Sequence, residues 1–271
     1  MSYRLLVSDV DGTLVDNEKR LAPATIAAVG RLTAAGIRFT IISARPRSGM
    51  MPIADALGLD GPMAAFNGGI LFHRDGTVDE HHVIEPAVAR GALDAARGAP
   101  VDIWVFADDL WHSSTDKGVH VEHERIASNQ APIVTTDFTA LLDNADKITF
   151  VSDEPQVLQD LHALIDAGFA GQATVAQSQT YYLDVTALAA NKGAGIEALA
   201  AAAGVPLAQV VAIGDQANDL PMLRRAGLAI AMGNAPAPVQ AAAAHVTTAN
   251  DADGVAKAID TYLLPALEQI K

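Results

Sequence analysis

Leu5-Leu6-Val7-Ser8-Asp9-Val10-Asp11-Gly12-Thr13 is the stretch that decides how the rest of the chain is read. Its apolar start reads as a buried strand, which delivers two carboxylates, two residues apart, onto a glycine and a hydroxyl residue. The carboxyl end of such a strand is where open α/β sheets place ligands. The pattern recurs downstream, where Val210-Val211-Ala212-Ile213 runs into Gly214-Asp215-Gln216-Ala217-Asn218-Asp219. Two apolar strands that end in acidic residues make a cradle for a hard divalent cation. A carboxylate beside such a cation can attack phosphorus. A calcium loop of the EF-hand kind is excluded. With Asp9 as first ligand it needs glycine sixth and glutamate twelfth, and Leu14 and Arg20 stand there.

Working outward, the first third alternates strand and helix signals. Leu5–Ser8 reads as strand and Pro23–Ala35 as helix closed by Gly36. Ile37–Ile42 reads as strand, Pro46–Leu57 as helix and Met63–Phe66 as strand. That alternation predicts parallel βαβ units and a doubly wound sheet. Asn67-Gly68-Gly69 breaks the rhythm, and Ile70–His73 with Thr77–His82 reads as a hairpin around Asp75-Gly76. The middle third has another grain: a helix at Pro86–Arg97, a hairpin of Val101–Phe106 with Leu110–His112 through Asp108-Asp109, a strand at Lys147–Val151, a helix at Pro155–Ile165, and strands at Ala173–Gln177 and Tyr181–Val185. The parallel pattern resumes with a helix at Lys192–Ala203 and the strand Val210–Ile213. It runs on through Leu220–Ala226, Leu228–Ala231, Pro236–Ala243, His245–Thr247 and Gly254–Leu264. The fold class expected is therefore α/β, a mostly parallel, Rossmann-like sheet into which an α+β module is inserted.

The two acidic motifs together resemble the haloacid dehalogenase superfamily of phosphotransferases. Its first motif, DxDxT, is matched by Asp9, Asp11 and Thr13; its fourth, GDxxND, by Gly214, Asp215, Asn218 and Asp219. The type IIB, Cof-like branch, with a large cap inserted between the second and third motifs, fits the full length. The resemblance implies a catalytic core of residues 1–82 and 189–271 and a substrate-specificity cap of residues 83–188, joined by hinges near His82–Glu85 and Ala187–Asn191.

On this reading Asp9 is the nucleophile that forms an aspartyl-phosphate, and Mg²⁺ neutralises the repulsion between carboxylate and phosphate. Asp11 is the general acid and then the general base; the resemblance adds its backbone carbonyl to the metal, and Asp215 is the third ligand. Gly12 allows a tight turn beside the phosphate, and Thr13 completes the motif. Asp219 orients the metal ligands, and Asn218 hydrogen-bonds the phosphate or Asp9. Ser43 ends the strand Phe39-Thr40-Ile41-Ile42 at the second-motif position that places Ser or Thr on the phosphate. The next residue is Ala44 where the family has glycine, its amide expected to approach the phosphate, and then comes Arg45, which contacts substrate or packs. Lys192, in Asn191-Lys192-Gly193, matches the third motif and compensates the charge of Asp9 and the phosphate. Asn67 contacts substrate hydroxyls or starts the hairpin toward the cap, the hinge reading being the stronger. His120 and His123 share one helical face without further ligands nearby, so no zinc site is expected. Trp104, Trp111, Tyr181 and Tyr182 read as cap core, with room for one at the substrate mouth.

The whole chain narrows the function further. Its 271 residues carry 18 basic and 32 acidic side chains, a net charge of −14 with no cysteine. Such a surface repels nucleic acid and anionic lipid, so neither is an expected partner. No apolar run approaches the ~18–20 residues of a membrane span, and Met1-Ser2-Tyr3-Arg4 leads straight into the first strand, so a cytoplasmic monomer or weak homo-oligomer is expected. No GxGxxG follows the first strand, against a dinucleotide dehydrogenase. The leading expectation is Mg²⁺-dependent hydrolysis of small phosphorylated metabolites, sugar phosphates foremost. A phosphomutase of the same superfamily and a non-catalytic binding or regulatory protein stay open, although Asp9, Asp11, Lys192 and Asp215 are all intact.

Overall fold

In a computed structural model, residues 3–265 are described. The chain enters as β1 (Leu5–Ser8), buried along its length. The next helix, α1 (Pro23–Ala34), starts on Pro23, whose fixed φ suits a first turn. After β2 (Arg38–Ile41), α2 (Arg47–Leu57) stops at Gly58, a left-handed residue with φ 61°. Then come β3 (Met63–Ala65), β4 (Ile70–Phe72) and β5 (Val78–His81). The middle of the chain forms α3 (Pro86–Ala95), β6 (Asp102–Ala107), β7 (Leu110–Ser113), α4 (Val121–Ser128), β8 (Ile133–Val134), β9 (Ala145–Val151), α5 (Pro155–Phe169), β10 (Ala173–Gln179) and β11 (Tyr182–Ala187). It closes with α6 (Lys192–Ala202), β12 (Val210–Gly214), α7 (Leu220–Arg225), β13 (Leu228–Ala231), α8 (Ala237–Ala241), β14 (His245–Val246) and α9 (Gly254–Ala258).

Five strands form one parallel sheet in the order β14-β13-β12-β1-β2. Leu5 to Ser8 lie opposite Val210 to Ile213 on one side and Arg38 to Ile41 on the other. This register brings the residues that leave β1, β2 and β12 out level at one sheet edge, where the acidic motifs sit. The antiparallel trio β3-β4-β5 joins the sheet through a parallel bridge between Ile42 and Ala64.

A second sheet, in the order β10-β11-β9-β6-β7-β8, lies between Asp102 and Ala187 and is antiparallel apart from the β7–β8 pair. Its two faces can be read from a period of two. Val105, Ile148, Phe150, Leu183 and Val185 point to one face, where Val88 and Ala92 of α3 and Leu158, Leu161 and Ile165 of α5 cover them. Trp104, Phe106 and Tyr182 point to the other, and with Trp111 they join the apolar cluster that holds the parallel sheet. The junction is Phe66, whose ring centroid is 5.7 Å from that of Phe106. A buried tryptophan removes roughly 150–250 Å² from water, worth about 4–6 kcal/mol as an upper bound. The aromatic face is therefore built to meet the parallel sheet rather than solvent.

Three local details depart from expectation. The strand expected to reach Phe66 stops at Ala65, because Phe66 and Asn67 both take positive φ (47° and 60°) and turn the chain toward β4. The helix expected to end at Ile165 runs to Phe169. Helix α4 and strand β8 had no assigned element, α4 being short, polar on most faces and ended by Asn129 at φ 53°. The Asp108-Asp109 hairpin turn is present, both residues at positive φ (52° and 62°) as a two-residue turn of this hand requires. Among the described residues no helix is long and apolar enough to cross a membrane.

Candidate active site

The site begins where β1 runs out. The Asp9 amide donates to the Ile213 carbonyl at 3.0 Å, so one further ladder bond pins the first carboxylate above the sheet edge. Lys192 reaches it from the first turn of α6, which starts there because Asn191 caps it, accepting from the Ala194 amide. The Lys192 ammonium bonds Asp9 Oδ1, and Asp219 Oδ1 at 2.5 Å. The other Asp219 oxygen accepts the backbone amides of Asp215 (2.8 Å) and Gln216 (2.9 Å), which closes the turn after β12. Asp215 in turn accepts from the Thr13 hydroxyl at 2.9 Å and from Asn234 Nδ2 at 3.3 Å. Gly12 has φ +78°, and a Cβ there would lie 2.4 Å from Asp215 Oδ2, so the close approach of the two loops depends on its missing side chain.

Asp9, Asp215 and Asp219 each offer an oxygen within 4.8 Å of the others. Among the described residues Lys192 is the one cation bonded to any of these three carboxylates. Burial and the neighbouring Asp219 hold Asp9 well above the usual carboxylate range, against the pull of Lys192. The same two causes push Asp215 up to about 7. Burial would lower Lys192, but Asp219 and Asp9 together raise it. Like charges packed this closely relax when a cation joins them. Oxygen-only donors suit a hard divalent ion, and this is the only such group found among the described residues.

The Asp11 side chain turns away from that cluster. Arg45 clamps it through Nε to Oδ2 (2.7 Å) and Nη2 to Oδ1 (2.8 Å), and Lys19 Nζ donates to Oδ1 at 2.6 Å. Burial works to raise Asp11, yet Arg45 and Lys19 outweigh it and hold the carboxyl far below its usual range. Arg45, expected on the substrate or in packing, is thus the bidentate partner of Asp11, with Nη1 donating to the Gly49 carbonyl at 3.1 Å. Ser43 is buried at the end of β2; its carbonyl accepts the Asn67 amide at 2.7 Å and its hydroxyl accepts the Arg45 amide at 3.2 Å. The Ala44 carbonyl accepts from Lys147 Nζ at 3.1 Å. Asn218 donates to Asn67 Oδ1 at 3.4 Å, while its own Oδ1 has no partner among the described residues.

These groups face a cavity of about 50 Å³. One wall is Asp9, Asp11, Ser43, Arg45 and Asn218; the other is His123 and Glu124 of α4, Lys147 of β9 and Tyr182 of β11. Sequence reasoning had Tyr182 in a set of core aromatics and missed Lys19, Glu124, Lys147 and Asn234. Lys19 had a signal, since Asp16 accepts the amides of Glu18 and Arg20 in a tight turn that swings Lys19 inward. Lys147 also had one, standing in Lys147-Ile148-Thr149-Phe150, whose alternate residues are apolar. His120 and His123 do not share a ligand group. The His120 ring stacks on Tyr181 at 3.8 Å with Nε2 on Asp153. His123, pushed down to about 4 by burial and by Lys19, is neutral at pH 7.

A family model described as haloacid dehalogenase-like hydrolase matches residues 6–259. The pyridoxal phosphate phosphatase YbhA of Escherichia coli K12 is 27% identical, over 97% of this chain and 100% of that protein. The HMP-PP phosphatase of Yersinia enterocolitica is 28% identical, over 86% of this chain and 85% of its own. A solved haloacid dehalogenase-like hydrolase from Bacteroides thetaiotaomicron superposes with a TM-score of 0.84 at 29% identity, covering 96% of this chain and 99% of that one.

Proposed function

This chain belongs to the haloacid dehalogenase-like hydrolases and is a phosphatase; from that premise we propose that it lies in their type IIB capped branch and hydrolyses phosphate monoesters of small metabolites, sugar phosphates foremost, with Mg²⁺ and through an aspartyl-phosphate on Asp9. The observation that carries this reading is the buried Asp9–Asp215–Asp219 cluster, short of positive charge, of which Asp9 lines the cavity. Residues 83–188 act as the cap and residues 1–82 with 189–271 as the core, a division supported by a second sheet contained between Asp102 and Ala187.

When bound by Asp9, Asp215 and the Asp11 backbone carbonyl, with Asp219 behind them, Mg²⁺ supplies the charge neutralisation that lets a carboxylate approach a phosphate dianion. Lys192 holds Asp9 Oδ1, which leaves the second oxygen to attack phosphorus. One P–O bond forms to Asp9 as the bond to the leaving oxygen breaks. Asp11 gives that oxygen its proton, then takes one from the water that releases phosphate from Asp9. In the free protein Arg45 and Lys19 keep Asp11 ionised. An arriving phosphate dianion competes for those two cations, and Asp11 so released can take up the proton it must donate. The Ser43 hydroxyl and the Asn218 amide would hold phosphoryl oxygens, a reading supported by both residues lining the cavity.

The test is hydrolysis of an aryl phosphate with Mg²⁺, in excess chelator, and by Asp9→Asn. Turnover is expected only with the metal, and the variant is expected to lose more than roughly a hundredfold. Full activity in chelator, or a variant that keeps more than a few per cent of the wild-type rate, overturns the assignment.

A further inference from the structure

The wall of the cavity opposite the phosphate chemistry is built from polar groups that the reaction does not use. Glu124 is 6% exposed, and burial, with Lys147 the main opposing charge, pushes its carboxyl up to about 7. Lys147 is 5% exposed and projects from the face of β9 opposite Ile148. Its ammonium lies 4.6 Å from the Phe106 ring centroid and donates to the Ala44 carbonyl. The Tyr182 hydroxyl is buried with no partner among the described residues. All three line the cavity. The cations of the facing wall, Arg45 and Lys19, are already engaged by Asp11, and the buried Lys192 by Asp9 and Asp219.

We propose that Glu124, Lys147 and Tyr182 form the subsite that reads the leaving group, and that they select an uncharged, polyhydroxylated one, a sugar or polyol carrying a phosphate monoester. This rests on the phosphatase reading above. Charge is the first argument. A leaving group with a carboxylate or second phosphate meets Glu124, and a cationic one meets Lys147. Adjacent hydroxyls suit both, one donating to the carboxylate while its neighbour accepts from the ammonium. Shape is the second argument. A flat heteroaromatic leaving group needs an open ring face to stack on. Tyr182 is buried and packs at a steep angle against Trp104 and Tyr181, with ring centroids 5.0 Å and 4.6 Å apart, and Lys147 sits over Phe106. Discrimination then follows from closure. A leaving group without hydroxyls leaves the Tyr182 hydroxyl without a partner and shields Glu124 and Lys147 from water with nothing in its place, a penalty that one with hydroxyls avoids.

The experiment measures kcat/KM of the full chain with Mg²⁺ on a hexose 6-phosphate, on pyridoxal 5′-phosphate and on p-nitrophenyl phosphate, for wild type, Glu124→Gln and Lys147→Met. The wild type is expected to favour the hexose phosphate over pyridoxal phosphate. Each variant is expected to lower the ratio of hexose phosphate to aryl phosphate by about tenfold or more. Equal losses on the two substrates overturn the subsite, because they mark a role in folding or in phosphate binding. Preference of the wild type for pyridoxal phosphate overturns the leaving-group class. Wild-type activity on the aryl phosphate without any on the hexose phosphate overturns this proposal and leaves the phosphatase reading standing; inactivity on all three removes both. Thermal melts check folding, and if Glu124→Gln does not fold, Lys147→Met reads the same contrast from a different element.

Discussion

Glu124 shows what burial does to a single side chain here. Its carboxyl titrates at about 7 in the fold, against an ordinary value of 4.5, because burial disfavours the charged form more than Lys147 restores it. Between those two pH values the folded chain binds more protons at this site than the unfolded chain. Stability therefore falls as pH rises from 4.5 through 7, by at most about 3 kcal/mol. Glu124→Gln cannot ionise, so its melting temperature is expected to gain on the wild type across that window and to hold a constant difference below it. A difference that stays flat from pH 4 to pH 8 in thermal melts would show that Glu124 does not titrate in this way. At this scale the site is unevenly legible. Asp9, Asp215 and Asp219 stand in short motifs at strand ends, so their convergence follows once the strands are known to be parallel neighbours. Arg45 adjoins a motif residue, yet its partner, Asp11, lies 34 positions away, and no local pattern names a long side chain's partner.

Among the elements, α2 and α4 join the two sheets' layers by a close approach. A Cβ on Gly49 would lie 2.1 Å from the Ala127 carbonyl, so the helices touch backbone to backbone there. Ser48 Oγ donates to the Ser128 carbonyl at 2.6 Å and accepts from Gln130 Nε2 at 2.7 Å. Helix α2 leads out of the Ser43–Arg45 loop and α4 carries Glu124, so this contact sets the width of the cavity between them. Gly49→Val is expected to part the two helices, and with the wall withdrawn kcat/KM on a hexose phosphate should fall by about tenfold or more. The aryl phosphate, which gains less from that wall, should lose less. Unchanged kinetics with an unchanged melting temperature would mean that the helices reseat without consequence. The parallel strands and their helices were readable from alternation, Gly punctuation and Pro starts. Helix α4 was not, because eight mostly polar residues, with Glu124 and Ser128 among those it buries, leave no strong apolar period.

For the molecule as a whole, the carboxylate cluster couples metal binding to stability. An ion bound by the folded chain alone adds RT ln(1 + [L]/Kd), about 2.7 kcal/mol at a hundred times Kd, which for a chain of this length raises the melting temperature by several degrees. Mg²⁺ is expected to raise the melting temperature of the wild type and not that of Asp215→Asn. Ca²⁺ is expected to raise it as well without supporting turnover, since its larger, looser coordination can engage both oxygens of Asp9 and leave none to attack. An equal Mg²⁺ shift in Asp215→Asn, measured by thermal melts, would remove Asp215 from the metal site. The sequence by itself determined the α/β class and the acidic motifs at the strand tips, because strand period, apolar runs and turn residues act over a few neighbouring positions. Only the tertiary structure decided which side chains face each other across the cavity. The pairing of Asp11 with Arg45 and Lys19, and the wall of Glu124, Lys147 and Tyr182, depend on how the antiparallel sheet meets the parallel one. That meeting is made by contacts between distant residues, Phe66 on Phe106 and Gly49 on Ala127, which no local pattern in the chain encodes.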